Sequence, residues 1–134
     1  MINRDVLACM CAVTMVCAAA VSQAADPVDT WRYPVTVLRV IDGGTIDATM
    51  EVGLNLTYHG KIRLLGLKAY ELKDPGGPAA KIALEERLKA CQYIDGVTAR
   101  GKDFDAFGRV LARLTCDEKD IADEMVKAGH GVSK

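Results

Sequence analysis

Three side chains carry most of the chemistry this sequence offers: Arg63, Glu71 and Arg109. Two guanidiniums and a carboxylate are what a site needs to hold a phosphodiester and activate water against it. Guanidinium forks meet phosphate oxygens bidentately and stay charged at any working pH. A carboxylate can take the proton of the attacking water. Arg63 lies in the strand-like run Lys61-Ile62-Arg63-Leu64-Leu65, with Glu71 eight residues on. Arg109 follows Asp105-Ala106-Phe107-Gly108 and opens the run Val110-Leu111-Ala112-Arg113-Leu114. Lys61, Lys68 and Lys73 flank these residues, either steering an anion or lining a solvated strand edge. Gly44 and Lys68 decide how far the reading goes.

The elements that must position this trio are short. Val35-Thr36-Val37-Leu38-Arg39-Val40 is a β-branched strand candidate, and Asp42-Gly43-Gly44 is a turn signal. From Ile46 to Val52 apolar residues fall on even positions and polar ones on odd, the mark of a half-buried strand. Residues 56–67 predict a third strand, with His59-Gly60 as a bulge or bend. Asp74-Pro75-Gly76-Gly77-Pro78 reads as a loop, either mobile beside the site or a plain connector. Pro78 suits the first turn of a helix over residues 79–90. Residues 93–100 and 109–114 predict a hairpin around Lys102-Asp103. Asp120 then N-caps a second helix, with Asp123 three residues on and Gly129 as its C′ residue. Trp31 and Tyr33 precede the first strand, to cover an end of the fold or stack a base. Three strands, a helix, two strands and a helix give an α+β, mainly β domain. That order fits a small, partly open five-stranded barrel of the OB-fold kind.

The chain has 134 residues, so one domain is expected. Half of them are apolar, enough for a real core. The formal net charge is −1. A strongly basic nucleic-acid binder is thereby excluded, and any phosphate affinity must come from a local cluster. Arg4, an apolar stretch from Val6 to Val21 and Ser22-Gln23-Ala24 read as a signal peptide over residues 1–24. An uncleaved anchor is the alternative, although the stretch is short for a membrane span of ~20 residues. Residues 25–34 are then a short N-terminal segment and 35–134 the folded domain. The mature chain would carry no membrane span and would be secreted or periplasmic. Cys17 is a poor lipid acceptor, because Val16 before it is not small.

Cleavage leaves Cys91 and Cys116, an even pair in an oxidising compartment. Cys91 precedes the first hairpin strand and Cys116 follows the second, so both fall at its open end. A disulfide is expected there, worth about 3 kcal/mol in the chain-entropy model. Two buried thiols are the alternative. His59 and His130 lack partners at metal-ligand spacing and read as surface residues.

Three stretches in this order resemble the staphylococcal-nuclease-like (thermonuclease) family. They are Val40-Ile41-Asp42-Gly43-Gly44-Thr45, Ile62-Arg63-Leu64-Leu65-Gly66-Leu67-Lys68-Ala69-Tyr70-Glu71, and Phe107-Gly108-Arg109-Val110-Leu111-Ala112. Asp120-Ile121 and Val126-Lys127-Ala128-Gly129 follow, as in the family's second helix. The resemblance runs from about Val35 to Val132. It implies an OB-fold nuclease that hydrolyses DNA or RNA with one calcium ion. Arg63 and Arg109 match the phosphate-gripping arginines, and Glu71 the glutamate that orients or deprotonates water. Asp42 matches an acidic residue close behind the metal.

The metal carboxylates are where this chain departs. Gly44 stands where the family has the first metal-binding aspartate, and Lys68 where it has the second. The chain stops at Lys134, so the third helix of longer members is missing. Calcium wants six to eight oxygen ligands, with carboxylates supplying the charge. Lys68 instead offers an ammonium; at about 4 Å and an effective dielectric near 20, each unit-charge repulsion costs roughly 4 kcal/mol. No useful calcium binding is therefore expected. Lys68 is expected to join the phosphate cluster and to pair with Glu71, but it cannot lower the pKa of a bound water. The expected function is nucleic-acid or other phosphate binding with weak or no hydrolysis, as a monomer. Two alternatives stay open: an active nuclease with a metal recruited through Asp42, Asp47 and Glu71, and a non-catalytic protein-interaction module.

Overall fold

The computed structural model describes residues 30–134. The expected signal peptide and residues 25–29 lie outside the described residues. No described helix is long and apolar enough to cross a membrane. The fold is α+β and mainly β. Its strands are β1 (Thr30–Asp42), β2 (Thr45–Gly53), β3 (Leu56–Leu64), β4 (Leu67–Ala69), β5 (Ile94–Ala99), β6 (Val110–Cys116), β7 (Lys119–Asp120) and β8 (Gly131–Ser133). Two helices, α1 (Gly77–Lys89) and α2 (Ile121–Lys127), follow β4 and β7.

The alternation read in β2 is realised through Met50 and fails at its end, where Val52 is exposed. Ile46, Ala48 and Met50 are buried, and the residues between them face outward or lie half-buried. β6 alternates the same way, burying Val110, Ala112, Leu114 and Cys116. In β3, Ile62 and Leu64 enter the core. Arg63 between them must therefore point to the other face, because successive side chains of a strand alternate. α1 adds Ala80, Leu84 and Leu88, one turn apart, and α2 adds Ile121, Ala122 and Met125. These residues form one apolar cluster. Fully burying a side chain such as Ile62 or Leu84 is worth about 1.5–3 kcal/mol.

The main sheet runs β3-β2-β1-β5-β6-β7, and β4 pairs with β8 in a separate ribbon. β3 also pairs with β6, in parallel, with Arg63 opposite Leu111. This pairing brings the two segments that carry Arg63 and Arg109 side by side.

Several boundaries differ from the sequence reading. β1 begins at Thr30, so Trp31 and Tyr33 are strand residues paired with Thr98 and Gly96 of β5. The third strand ends at Leu64, because Gly66 adopts φ +81° and turns the chain before β4. There is no bulge at His59-Gly60, which pair in register with Thr49 and Ala48. The irregularities lie in β1, between Val37 and Arg39 and between Val40 and Asp42, and in β2, between Glu51 and Gly53. α1 starts at Gly77, two residues before the expected helix, and Pro78 occupies its first turn. Among the described residues eight strands replace the expected five, the extra ones being short. At the β2–β3 hairpin, Leu54 and Asn55 sit at φ 52° and 60°, and Leu54 is almost fully exposed.

α2 follows its sequence signals. Asp120 accepts a hydrogen bond from the Asp123 N–H, and Gly129 takes φ +81° after the last turn. Cys91 and Cys116 form a disulfide, with their Cα atoms 5.4 Å apart.

Candidate phosphate-binding groove

An open groove of about 850 Å³ is lined by Asp42, Thr45, Arg63, Lys68, Tyr70, Glu71, Lys73, Asp74 and Arg109, among others. The sequence-derived trio and Lys68 thus share one depression. A smaller hollow of about 470 Å³ adjoins it and shares Arg63 and Arg109. Phe107 and Lys134 also line that hollow.

Arg63 is held by carbonyls rather than by an acid. Its Nη1 donates to Gly44 O at 2.9 Å and its Nη2 to Leu67 O at 3.3 Å. Gly44 makes this posture possible. A Cβ built at position 44 would collide with Arg63 Nη1. The space that a carboxylate-bearing residue would need at this position is filled by the guanidinium. Gly43 is small for a neighbouring reason: its Cβ would lie 2.8 Å from that of Ala80 in α1. The helix therefore packs directly on the turn that ends β1. Asp42 braces this turn from its side chain, accepting the Gly44 N–H at 2.8 Å.

Arg109 is fixed by a loop that organises itself around Asp105. One carboxylate oxygen of Asp105 accepts the N–H groups of Phe107 and Arg109, each at 2.9 Å. The other accepts Arg109 Nε at 2.7 Å. Gly108 closes the turn at φ +74°. Burial pushes the Asp105 carboxyl up, but the hydrogen bonds from Arg109 and Phe107 and the Arg109 charge outweigh it. The net position is below the usual carboxylate range. Arg109 keeps both terminal amino groups without a hydrogen-bond partner among the described residues. Its guanidinium lies 5.4 Å from the ring centre of Phe107, which is 84% exposed.

Glu71 pairs with Lys73 at 2.9 Å, not with Lys68 as expected. The Lys73 hydrogen bond and charge hold its carboxyl below its usual range, with Lys68 a weaker contributor. Lysine stems are long and flexible, and the chain after Ala69 turns so that residue 73, not 68, comes back over the carboxylate. Lys68 itself is exposed and makes no ion pair among the described residues. Its backbone pairs with Val132 of β8.

The donor set does not fit a calcium ion. Among the described residues no three His, Cys, Asp or Glu side chains converge on a possible metal position. Asp42 spends one oxygen on the Gly44 N–H, Glu71 is engaged by Lys73, and positions 44 and 68 supply no carboxylate. Asp47, the third carboxylate of the rearranged-metal alternative, is bound instead to Arg39 and His59, each at 3.3 Å.

Two residues of the site escaped the sequence reading. Asp105 was legible in principle, as an Asx-turn residue four positions before an arginine. Thr45 is buried with an unpartnered hydroxyl on the groove wall, and no sequence signal marks it. Neither the protein-family models nor the curated proteins include a match to this chain.

Proposed function

We propose that this domain is a staphylococcal-nuclease-like OB-fold that binds phosphate groups of nucleic acid, or of a similar ligand, without calcium and with little or no hydrolysis. The observation that carries the reading is the convergence of Arg63, Lys68 and Arg109 on one groove that lacks a set of metal carboxylates. The β3–β6 pairing supports the barrel, since it links a strand at one end of the sheet to the strand beside β7. The three quoted sequence stretches support the family.

The roles follow from the geometry. Arg109 presents its free amino groups, already oriented by Asp105. Arg63 keeps unused N–H donors on each terminal nitrogen and can exchange a carbonyl partner for a phosphate oxygen. Charge-assisted bonds of this kind are about twice as strong as neutral ones. Lys68 adds a mobile charge at the rim. Glu71 stays ionised and can accept a proton from water. Among the described residues, the two guanidiniums and the Lys68 ammonium are the groups placed to stabilise the charge that develops on the phosphate. A disulfide persists in oxidising compartments, which supports a secreted or periplasmic location.

The test is binding of a labelled single-stranded oligonucleotide in chelator, followed across salt concentrations. Contact with Z phosphates makes log K fall with log salt at a slope of about −0.7Z. A flat salt response would favour a protein-interaction module. Robust calcium-dependent cleavage that Glu71→Gln abolishes would favour the active nuclease.

A further inference from the structure

One buried group in the groove has no function within the fold. Thr45 is 3% exposed, and its Oγ1 is the only buried side-chain polar atom among the described residues without a hydrogen-bond partner. Thr98, the other buried polar residue, has no such orphan. Buried hydroxyls are normally bonded, and one left unmet is a standing cost to stability. A valine would fill the same space without that cost.

The position of Thr45 suggests what meets it. Thr45 lines the groove and stands directly opposite Arg63 in the β2–β3 register. Directly opposed residues of an antiparallel pair project from the same face with their Cβ atoms close together. Thr45 also pairs with Asp42 across the turn, so its backbone is fixed on both sides. The orphan hydroxyl and a guanidinium held only by carbonyls are therefore neighbours on one wall. Asp42 lines the same wall with one oxygen occupied by the Gly44 N–H. Its charge works against an anion, so the hydroxyl can serve one only together with Arg63.

We infer that Thr45 Oγ1 and Arg63 form a two-point clasp for a single phosphoryl oxygen, and that the preferred ligand ends in a phosphate. The inference rests on the phosphate-binding reading above. The hydroxyl donates to the oxygen while an Arg63 N–H donates to it from the rim. Because Thr45 Oγ1 is shut off from solvent, a neighbouring side chain must shift before a ligand reaches it, and then only an unsubstituted oxygen at the ligand's leading end fits. A terminal phosphate or inorganic phosphate presents such an end without strain. An internal diester carries substituents on two of its four oxygens and approaches less freely.

Calorimetric titration with inorganic phosphate in chelator tests the clasp. Thr45→Val should bind about tenfold more weakly, the loss for one hydrogen bond to a charged group. Its melting temperature without phosphate should stay level or rise, since no bond within the fold is lost. Thr45→Ser should retain binding. A short oligonucleotide with a terminal phosphate should bind more tightly than the same oligonucleotide without one, and Thr45→Val should erase that preference. Unchanged phosphate affinity in Thr45→Val, or a clear fall in its phosphate-free melting temperature, overturns the clasp. Equal binding of the two oligonucleotides overturns the terminal-phosphate preference. If these results come while Arg63→Ala still weakens phosphate binding, the groove reading stands and only the clasp falls. If the parent protein binds no phosphate, both fall.

Discussion

Two arginine-centred regions use the same residue types to different ends. Around the disulfide, the donors are spent on the protein itself. Arg87 of α1 bonds Glu124 of α2 through Nε, and its Nη1 reaches Cys116 Sγ at 2.8 Å. The Glu124 hydrogen bond holds the Arg87 pKa above its ordinary value. Asp117 accepts the N–H groups of Gln92 and Tyr93 at 3.2 and 2.9 Å. In the groove, Arg63 rests on carbonyls, Arg109 commits one nitrogen, and Lys68 commits nothing. A cation that commits a terminal amino group as well as its Nε inside the fold, as Arg87 does, is a structural tie. A cation left with open donors beside a hollow is available to a ligand. The difference lies in the partners rather than in residue type.

The sharpest way to separate them is to remove the tie. Replacing Cys91 and Cys116 by serine should cost about 3 kcal/mol and lower the melting temperature by on the order of 15 °C. Phosphate affinity at a temperature where the variant is folded should not change. A loss of binding alongside stability would show that the two regions are coupled. Arg63→Ala should do the reverse, weakening phosphate binding about tenfold or more while moving the melting temperature far less than disulfide loss. Thermal scans and titrations on both variants make the contrast direct.

Smaller effects probe the groove's response to calcium and its loop. Gly44→Asp with Lys68→Asp should give a calcium-dependent rise in stability that the parent lacks. At calcium ten times the dissociation constant the gain is about 1.4 kcal/mol. The new side chain at position 44 must also drive the Arg63 guanidinium off its carbonyl. Absence of any calcium response would mean that two added carboxylates do not suffice to hold the ion in this groove. The pH dependence follows Asp105. Its folded pKa lies below its unfolded value, so its contribution is complete above the ordinary carboxylate range and is lost as pH falls through the lowered value. Amide exchange in residues 103–109 should therefore quicken below about pH 4, ahead of the core strands. Lys73→Ala breaks only an exposed pair, and the melting temperature should not move measurably. It should release Glu71 toward Lys68 without producing hydrolysis.

What the sequence disclosed follows a physical line. β2 was legible because one of its faces is buried and the other is not, so its alternation survives in the residue types. α2 was legible because its cap is local, Asp120 to Asp123. The disulfide was legible because hairpin geometry puts both cysteines at the open end. The first five residues of β1 were not, because Trp31 and Tyr33 become strand only by pairing with β5, far along the chain. The split between β3 and β4 was hidden because Leu65-Gly66 lies inside an apolar run. The trio of Arg63, Glu71 and Arg109 could be placed near one another from the sequence. The partner of Glu71 could not, since two lysines lie within reach and only the course of the loop selects one. Thr45 was invisible because burial of a threonine leaves no pattern.

The parallel pairing of β3 with β6 has a consequence for the order of folding. The hairpin β2–β3 and the ribbon β5–β6 each close over short loops, whereas Arg63 meets Leu111 across a long stretch of chain. Long-range pairings pay their loop entropy before they return anything, so they form late. The groove lies on one such late seam, alongside the still longer-range pairings β1–β5 and β4–β8. In a refolding experiment, the ability to hold phosphate should emerge after the hairpins have formed, and phosphate should slow unfolding more than it speeds folding.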